Sequence, residues 1–360
     1  MPALFDPLQL RSVTLRNRIG MSPMCTYSAT DGRPGAWHLA HYGARAVGGC
    51  GLIIAEATAI DARGRISPGD TGLYRDDQVA PWRQVTDFVR GQGAVPAVQL
   101  AHAGRKAGTH TPFTGRGPLG GEGGWKPVAP CALPWDEGWP VPAELTAAQL
   151  DQLALAWGAA ARRARAARFE ALEIHMAHGY LLHQFLSPLT NVRTDEYGGG
   201  LEQRMRFPLE VTRQVRLEWP DELPLLVRIS ATDWAAGGWS IEDSVELCRR
   251  LSDVGVDLID CSSGGAVPQA RQTGVATAAV PGYQVEFAER IRRETGLPVA
   301  AVGLISEPRR AAAIVAEDRA DLVLLGRALL RDPYWPLHAS RALDQPLDWP
   351  VPYRRAAPDA

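Results

Sequence analysis

Three histidines and a tyrosine, His175, His178, Tyr180 and His183, fall within nine positions in the stretch ALEIHMAHGYLLHQFLSP (171–188). Imidazoles three residues apart can bind a metal, take part in hydrogen bonding and proton transfer, or sit satisfied in a core strand, and a phenol beside them can carry a proton. Further groups able to do chemistry close other apolar runs: SPMCTY (22–27), EATAI (56–60), QLAH (99–102), VRIS (227–230), VGL (302–304) and LGRA (325–328). Among these run ends and the HMAHGY strand, only Glu56 and Glu173 supply carboxylates. A glycosidase needs two carboxylates across one bond, and a hydrolytic metal centre usually combines His with Asp or Glu. The strand ends offer amide, imidazole, phenol, thiol and guanidinium instead, so no metal is expected.

Such groups act together only if a frame gathers the run ends. Strands are predicted at 19–24, 52–60, 94–102, 169–176, 223–230, 256–263, 297–304 and 321–328, each nearly continuously apolar, as parallel strands covered on both faces should be. Helical segments follow most of them. Thr146 with Gln149 and Ser240 with Asp243 read as capping boxes, and Leu150, Leu153, Trp157 and Ala160 or Ala161 form one apolar stripe. Eight strand–helix repeats predict an α/β fold, a single (β/α)8 TIM barrel over 1–345, with a doubly wound open sheet as the second choice. Residues 103–145, rich in Gly, Pro and Trp, are far too long for an ordinary connection and read as a capping excursion after the third strand. Trp125, Trp135 and Trp139 favour an ordered cover over a disordered one. Residues 346–360 read as an extended, Pro-rich tail.

With 46% hydrophobic and 22% charged residues and a net charge of -2, the 360-residue chain has the composition of a globular protein and no basic stripe for nucleic acid. No apolar run reaches the length of a membrane span, and the N-terminus lacks a leader pattern, so a cytoplasmic location is expected. Cys25, Cys50, Cys131, Cys248 and Cys261 contain no CxxC pair and read as free thiols.

The order and spacing of SPMCTYSATDG, QLAHAGRKA, HMAHGYLLHQFLSPLTNVRTDEYGG, VRIS, SSGG and LLGRALLRDP, behind the N-terminal LFDPLQLRSVTLRNRI, resemble the Old Yellow Enzyme family of FMN-dependent ene-reductases, along essentially the whole chain. The Cys in SPMCTY and the HxxH pair are similar to its thermophilic-like branch. The resemblance implies a (β/α)8 barrel with one non-covalent FMN at its mouth and NADPH as co-substrate. It places Ser22, Pro23, Met24 and Cys25 along the flavin ring, Ala57 behind it, Gln99 and Arg228 on its pyrimidine edge, and Gly303, Gly326 and Arg327 at its phosphate. The implied reaction reduces the activated C=C bond of α,β-unsaturated carbonyl compounds: hydride from flavin N5 reaches the β-carbon and Tyr180 protonates the α-carbon. His175 and His178 would donate to the carbonyl oxygen, with Tyr27 a further donor to substrate and Cys25 tuning the flavin. His183 is left as structural; Lys106 is open between substrate contact and solvation; SSGG is unassigned. The branch's tail pattern QYxR is replaced by VPYRRAAPDA, in which Arg355 aligns better than Arg354 with an Arg that enters a neighbouring subunit's site, implying a homo-oligomer, dimer or tetramer. Two other functions carry similar motifs or a similar barrel. They are a flavin-binding sensor and a larger amine dehydrogenase or dienoyl-CoA reductase type; the second needs further domains and clustered cysteines. A non-redox barrel is the remaining alternative.

Overall fold

Residues 2–120, 124–268 and 280–357 are described by the structure, a computed structural model. An antiparallel hairpin, β1 (Leu8–Leu10) with β2 (Val13–Leu15), precedes the barrel. The barrel strands are β3 (Ile19–Met21), β4 (Leu52–Ala59) and β5 (Val95–Ala101), then, beyond the small parallel pair β6 (Val128–Ala129) and β7 (Ala143–Glu144), β8 (Ala171–Met176), β9 (Leu225–Ser230), β10 (Leu258–Ser262), β11 (Val299–Val302) and β12 (Leu322–Leu325). Neighbours pair in parallel and β12 returns to β3, closing the sheet. Closure rules out the open-sheet alternative. Every residue of these eight strands is buried, which is why they read as unbroken apolar runs rather than alternating ones.

Several strands are shorter than their apolar runs predict. β3 stops at Met21 because Pro23 cannot donate to a ladder, and β12 ends at Leu325, before Gly326 and Arg327. Both predicted caps are present: Thr146 opens α3 (Ala147–Ala166) and Ser240 opens α6 (Ile241–Asp253), each with its reciprocal bond from the third residue. Leu150, Leu153, Trp157, Ala160 and Ala161 are the buried face of α3. Removing a fully buried indole such as Trp157 by Ala would cost about 3–5 kcal/mol.

The excursion after β5 carries structure of its own. Besides β6 and β7, a bridge joins Thr109 to Pro118, Trp125 Nε1 donates to Arg63 O at 2.8 Å, and Arg193 donates to Pro130 O and Leu145 O at 2.7 Å each. Of this excursion, residues 121–123 lie outside the described residues. The tail departs from the extended reading: Val351–Ala356 form a 3₁₀ turn, whose entry is set by the restricted φ of Pro352. Residues 358–360 lie outside the described residues. Among the described residues, no helix is long and apolar enough to cross a membrane.

Candidate active site

Parallel strands deliver their C-terminal ends to one mouth of the barrel, and the chemistry-bearing residues lie there. Register decides which of them meet. Gln99 stands opposite Glu173, and Arg228 stands between His175 on one side and Asp260 on the other. The β4–β5 ladder slips between Ala55 and Thr58, so Glu56 and Ala57 occupy a bulge, a device that re-aims side chains beside sites.

His175 and His178 come together with Nε2 of the first 3.3 Å from Nδ1 of the second. Burial, then the positive charge of Arg228, holds both imidazoles well below their ordinary pKa, so each is neutral and carries a single N–H. The proton positions follow from the neighbours. Ala177 N donates to His175 Nδ1, which puts the His175 proton on Nε2; His178 then accepts at Nδ1 and directs its own Nε2–H at Ser262 Oγ, 2.7 Å away. Tyr180 packs edge-on against His175 with ring centroids 4.9 Å apart. Burial, Cys25 and Tyr27 raise its phenol far above the usual value, so it keeps its proton. His178 sits in the left-handed region at φ 59°, held there by its N–H donating to Ser230 Oγ at 2.9 Å. The unassigned SSGG finds its use here. A Cβ on Gly179 would fall 1.9 Å from Gly265 O, and one on Gly265 would fall 2.5 Å from His178 Cα, so the two loops touch backbone to backbone.

His183 is part of a different network. It accepts from Gly179 N at 2.9 Å and lies 3.0 Å from the fully buried Asp233.

Beneath the mouth lie more carboxyl groups than the strand ends suggested. Cys25, Glu56 and Asp70 bring their ligand-type atoms within 4.8 Å of one another. Glu56 is already engaged, accepting from Thr26 N at 3.0 Å, Thr26 Oγ1 at 2.8 Å and Tyr42 OH at 3.0 Å. Burial lifts Glu56 to about 6 and Asp70 to about 7, while burial and these two carboxyls keep Cys25 a thiol. On the other side, Arg228 Nε lies 3.1 Å from Asp260 Oδ2, and Gln99 donates to Glu173 at 2.7 Å. Burial raises both acids, Glu173 further through the neighbouring Asp260. One guanidinium thus serves two buried carboxyls, and the pair retains a proton.

A cavity of about 430 Å³ opens beside this network, lined by Ser22, Pro23, Met24, Arg228, Gly303, Gly326 and Arg327, all expected, and by Ser262, Gln284 and Arg331, which were not. Arg228 donates to Ser22 Oγ at 3.3 Å. Cys25, Ala57 and Gln99 do not line it; Ala57 and Gln99 are buried in the adjoining barrel wall. Tyr27, at φ 53°, lines a second cavity with Tyr180 and Lys106. Arg355 is exposed on the tail turn, outside both cavities.

The family model described as "NADH:flavin oxidoreductase / NADH oxidase family" matches residues 3–345. The chain belongs to this family. It is 46% identical over 354 residues to an NADPH dehydrogenase of Geobacillus thermodenitrificans (98% of each chain), and 44% identical over 358 residues to one of Listeria monocytogenes serotype 4a (99% of each). Its fold is similar to that of morphinone reductase in complex with tetrahydroNAD (TM-score 0.78, 30% identity, 98% of this chain and 94% of that one). It is also similar to the Old Yellow Enzyme homologue from Zymomonas mobilis (TM-score 0.78, 28% identity, 97% and 95%). A 2-naphthoyl-CoA reductase shares the barrel at TM-score 0.85 and 25% identity, but this chain spans 53% of it.

The protein is therefore a flavin oxidoreductase acting on NAD(P)H, and the family's cofactor is FMN. The 430 Å³ cavity fits that group. Gly303, at φ 128°, holds a backbone conformation that side chains rarely adopt and is packed against Gln284 and Tyr283, while at Gly326 a Cβ would meet only the Met24 sulfur, at 3.5 Å, so both leave backbone exposed to the cavity they line. Arg327 and Arg331 add two positive charges, the donor type a phosphate requires. Arg331 is readable after the fact, one helical turn beyond Arg327 in LLGRALLRDP. Ser262 and Gln284 left no such signal.

Proposed function

We propose that this flavin oxidoreductase is an NADPH-dependent ene-reductase that saturates the activated C=C bond of α,β-unsaturated carbonyl compounds. The observation that carries the reading is the neutral His175–His178 pair with a protonated Tyr180 packed against it at the barrel mouth. The NADPH dehydrogenases and the morphinone reductase it resembles support the same class of reaction.

When bound, FMN would supply the hydride-transfer chemistry between NADPH and the substrate's β-carbon. The chain's own residues bind and orient. Ser22, Pro23, Met24 and Arg228 would flank the ring system, Gly303, Gly326, Arg327 and Arg331 would hold the phosphate, and Cys25, Ala57 and Gln99 would support the ring from the barrel wall. His175 Nε2–H, which among the described residues meets His178 Nδ1 at the long distance of 3.3 Å, would donate to a substrate carbonyl oxygen as negative charge develops there. His178 must exchange its 2.7 Å bond to Ser262 to do the same. Tyr180 gives a proton to the α-carbon, and Tyr27 is a second donor to the bound substrate. The exposed Arg355 is available to a second copy of the chain, consistent with a homo-oligomer that shares it.

The test is anaerobic: 2-cyclohexenone is added to dithionite-reduced holoenzyme. Rapid return of the oxidised flavin spectrum with one equivalent of cyclohexanone is expected. A flavin that stays reduced would leave a sensor or a plain NADPH oxidase and refute the proposal.

A further inference from the structure

Lys106 is a cation held by neutral groups. Its ammonium donates to His178 O at 2.8 Å and lies over the Trp135 ring at 4.2 Å and the Tyr180 ring at 5.1 Å; no described carboxylate pairs with it. The surroundings make this cation costly, since burial and the neighbouring Arg105 lower its pKa to about 7. An anion bound beside this amine would favour its charged form and supply the countercharge.

The adjoining cavity, about 410 Å³, has Tyr27 and Tyr180 on its wall, Lys106 beside them, and His110 and Arg116 from the excursion loop. No acidic side chain among the described residues lines it. The loop is built rather than loose: His110 N donates to Gly117 O at 3.0 Å, Thr109 N to Ile66 O at 2.7 Å, and the His110 ring sits where a Cβ on Gly115 would come within 2.9 Å. In a chain of net charge -2, three basic side chains thus converge on the space next to the proposed proton donor.

We propose that Lys106, His110 and Arg116 form an anion subsite that takes a carboxylate or phosphate carried by the molecule reacting at Tyr180. The inference rests on the ene-reductase reading above and makes enones bearing an acidic group better substrates than neutral ones, unless the anion is the diphosphate of the reduced dinucleotide. The two sources share one chemistry and separate in kinetics.

Stopped-flow measurements on holoenzyme compare wild type, Lys106→Met, Lys106→Arg and the exposed Arg116→Ala. In the oxidative half-reaction the probes are 4-carboxymethyl-2-cyclohexenone and its methyl ester. In the reductive half-reaction they are NADPH and 1-benzyl-1,4-dihydronicotinamide, which carries no phosphate. Lys106→Met should weaken binding of the acid by about 10- to 100-fold while the ester changes less than about twofold, the size of a lost charge-assisted hydrogen bond. Lys106→Arg should recover most of the loss, and Arg116→Ala should show the same selectivity to a smaller degree. The same pattern confined to NADPH against its phosphate-free analogue would assign the subsite to the dinucleotide. Equal loss for both members of each pair, or no loss in either, would overturn the proposal. Turnover of the ester by wild type reports on ene-reductase activity separately, so the failure of one reading is distinguishable from the failure of the other.

Discussion

Replacing Glu173 by Gln keeps the shape of a buried side chain and removes its proton chemistry. In the barrel interior Glu173 accepts from Gln99, its second oxygen has no partner among the described residues, and Asp260 stands close enough to raise its pKa further. Burial and that like charge make the folded protein hold a proton that the unfolded chain, with its ordinary carboxyl pKa, releases. The sign follows from linkage. A carboxyl raised in the folded state contributes stability that is complete below its unfolded pKa and is lost as pH rises through the folded one. The slope for one proton is about 1.4 kcal/mol per pH unit. Between pH 5 and pH 7 wild type should therefore lose about 3 kcal/mol that Glu173→Gln does not lose. With an unfolding entropy of roughly 2.1 cal/mol/K per residue, that is roughly 4 °C in Tm for a chain of 360 residues. Differential scanning calorimetry of both proteins at pH 5, 6 and 7, at one fixed FMN excess, should show the variant's Tm gaining on wild type by about 2 °C per pH unit. A difference that does not change with pH would mean that Glu173 is ionised in the fold and that the shared-proton description of the Arg228–Asp260–Glu173 network is wrong.

Tyr180→Phe should slow reoxidation of the reduced flavin by enone about 10²- to 10⁴-fold and leave its reduction by NADPH nearly unchanged; equal loss in both half-reactions would remove Tyr180 as proton donor. Cys25→Ala should shift the flavin midpoint potential, measured by dye equilibration, because the thiol lies within 4.8 Å of the Glu56 and Asp70 carboxyls and follows Met24, which lines the cavity; an unchanged potential would return Cys25 to a packing role. Arg331→Met should raise the FMN dissociation constant about 10- to 100-fold in a flavin fluorescence titration, and an unaltered value would exclude it from the phosphate site.

Much of this was readable along the chain because barrel strands advertise themselves. Eight apolar runs spaced by capped helices leave few ways to bury both faces of each strand, and a closed parallel sheet puts every run end at one mouth. That is why HMAHGY could be picked out as the strand end with the most chemistry; Ser22, Arg228, Gly303 and Arg327 were singled out by the family resemblance, and the closed sheet brings these residues, up to about 300 positions apart, to one cavity.

What the chain does not reveal depends on which side chains share a layer and which loops touch. Asp260 reads as one polar residue in an apolar run, yet register sets it beside Arg228 and Glu173 in a network where one positive charge serves two acids. Asp70 and Glu56 are separated by a loop and meet only because the bulge in β4 turns Glu56 toward Thr26 and Cys25. SSGG is a weak signal in sequence; in the fold its Ser262 faces His178 and the cavity, and its Gly265 lets one loop lie against the backbone of His178. Lys106 could have been a solvated side chain, and only the fold of the excursion, bringing Trp135 over it and His178 O under it, makes it a cation without a countercharge. Local sequence thus determined the elements and their order, because burial patterns and caps act over a few residues. Tertiary structure decided protonation and ligand-facing charge, because those depend on distances between groups far apart in the chain and on how much water the packing leaves around them.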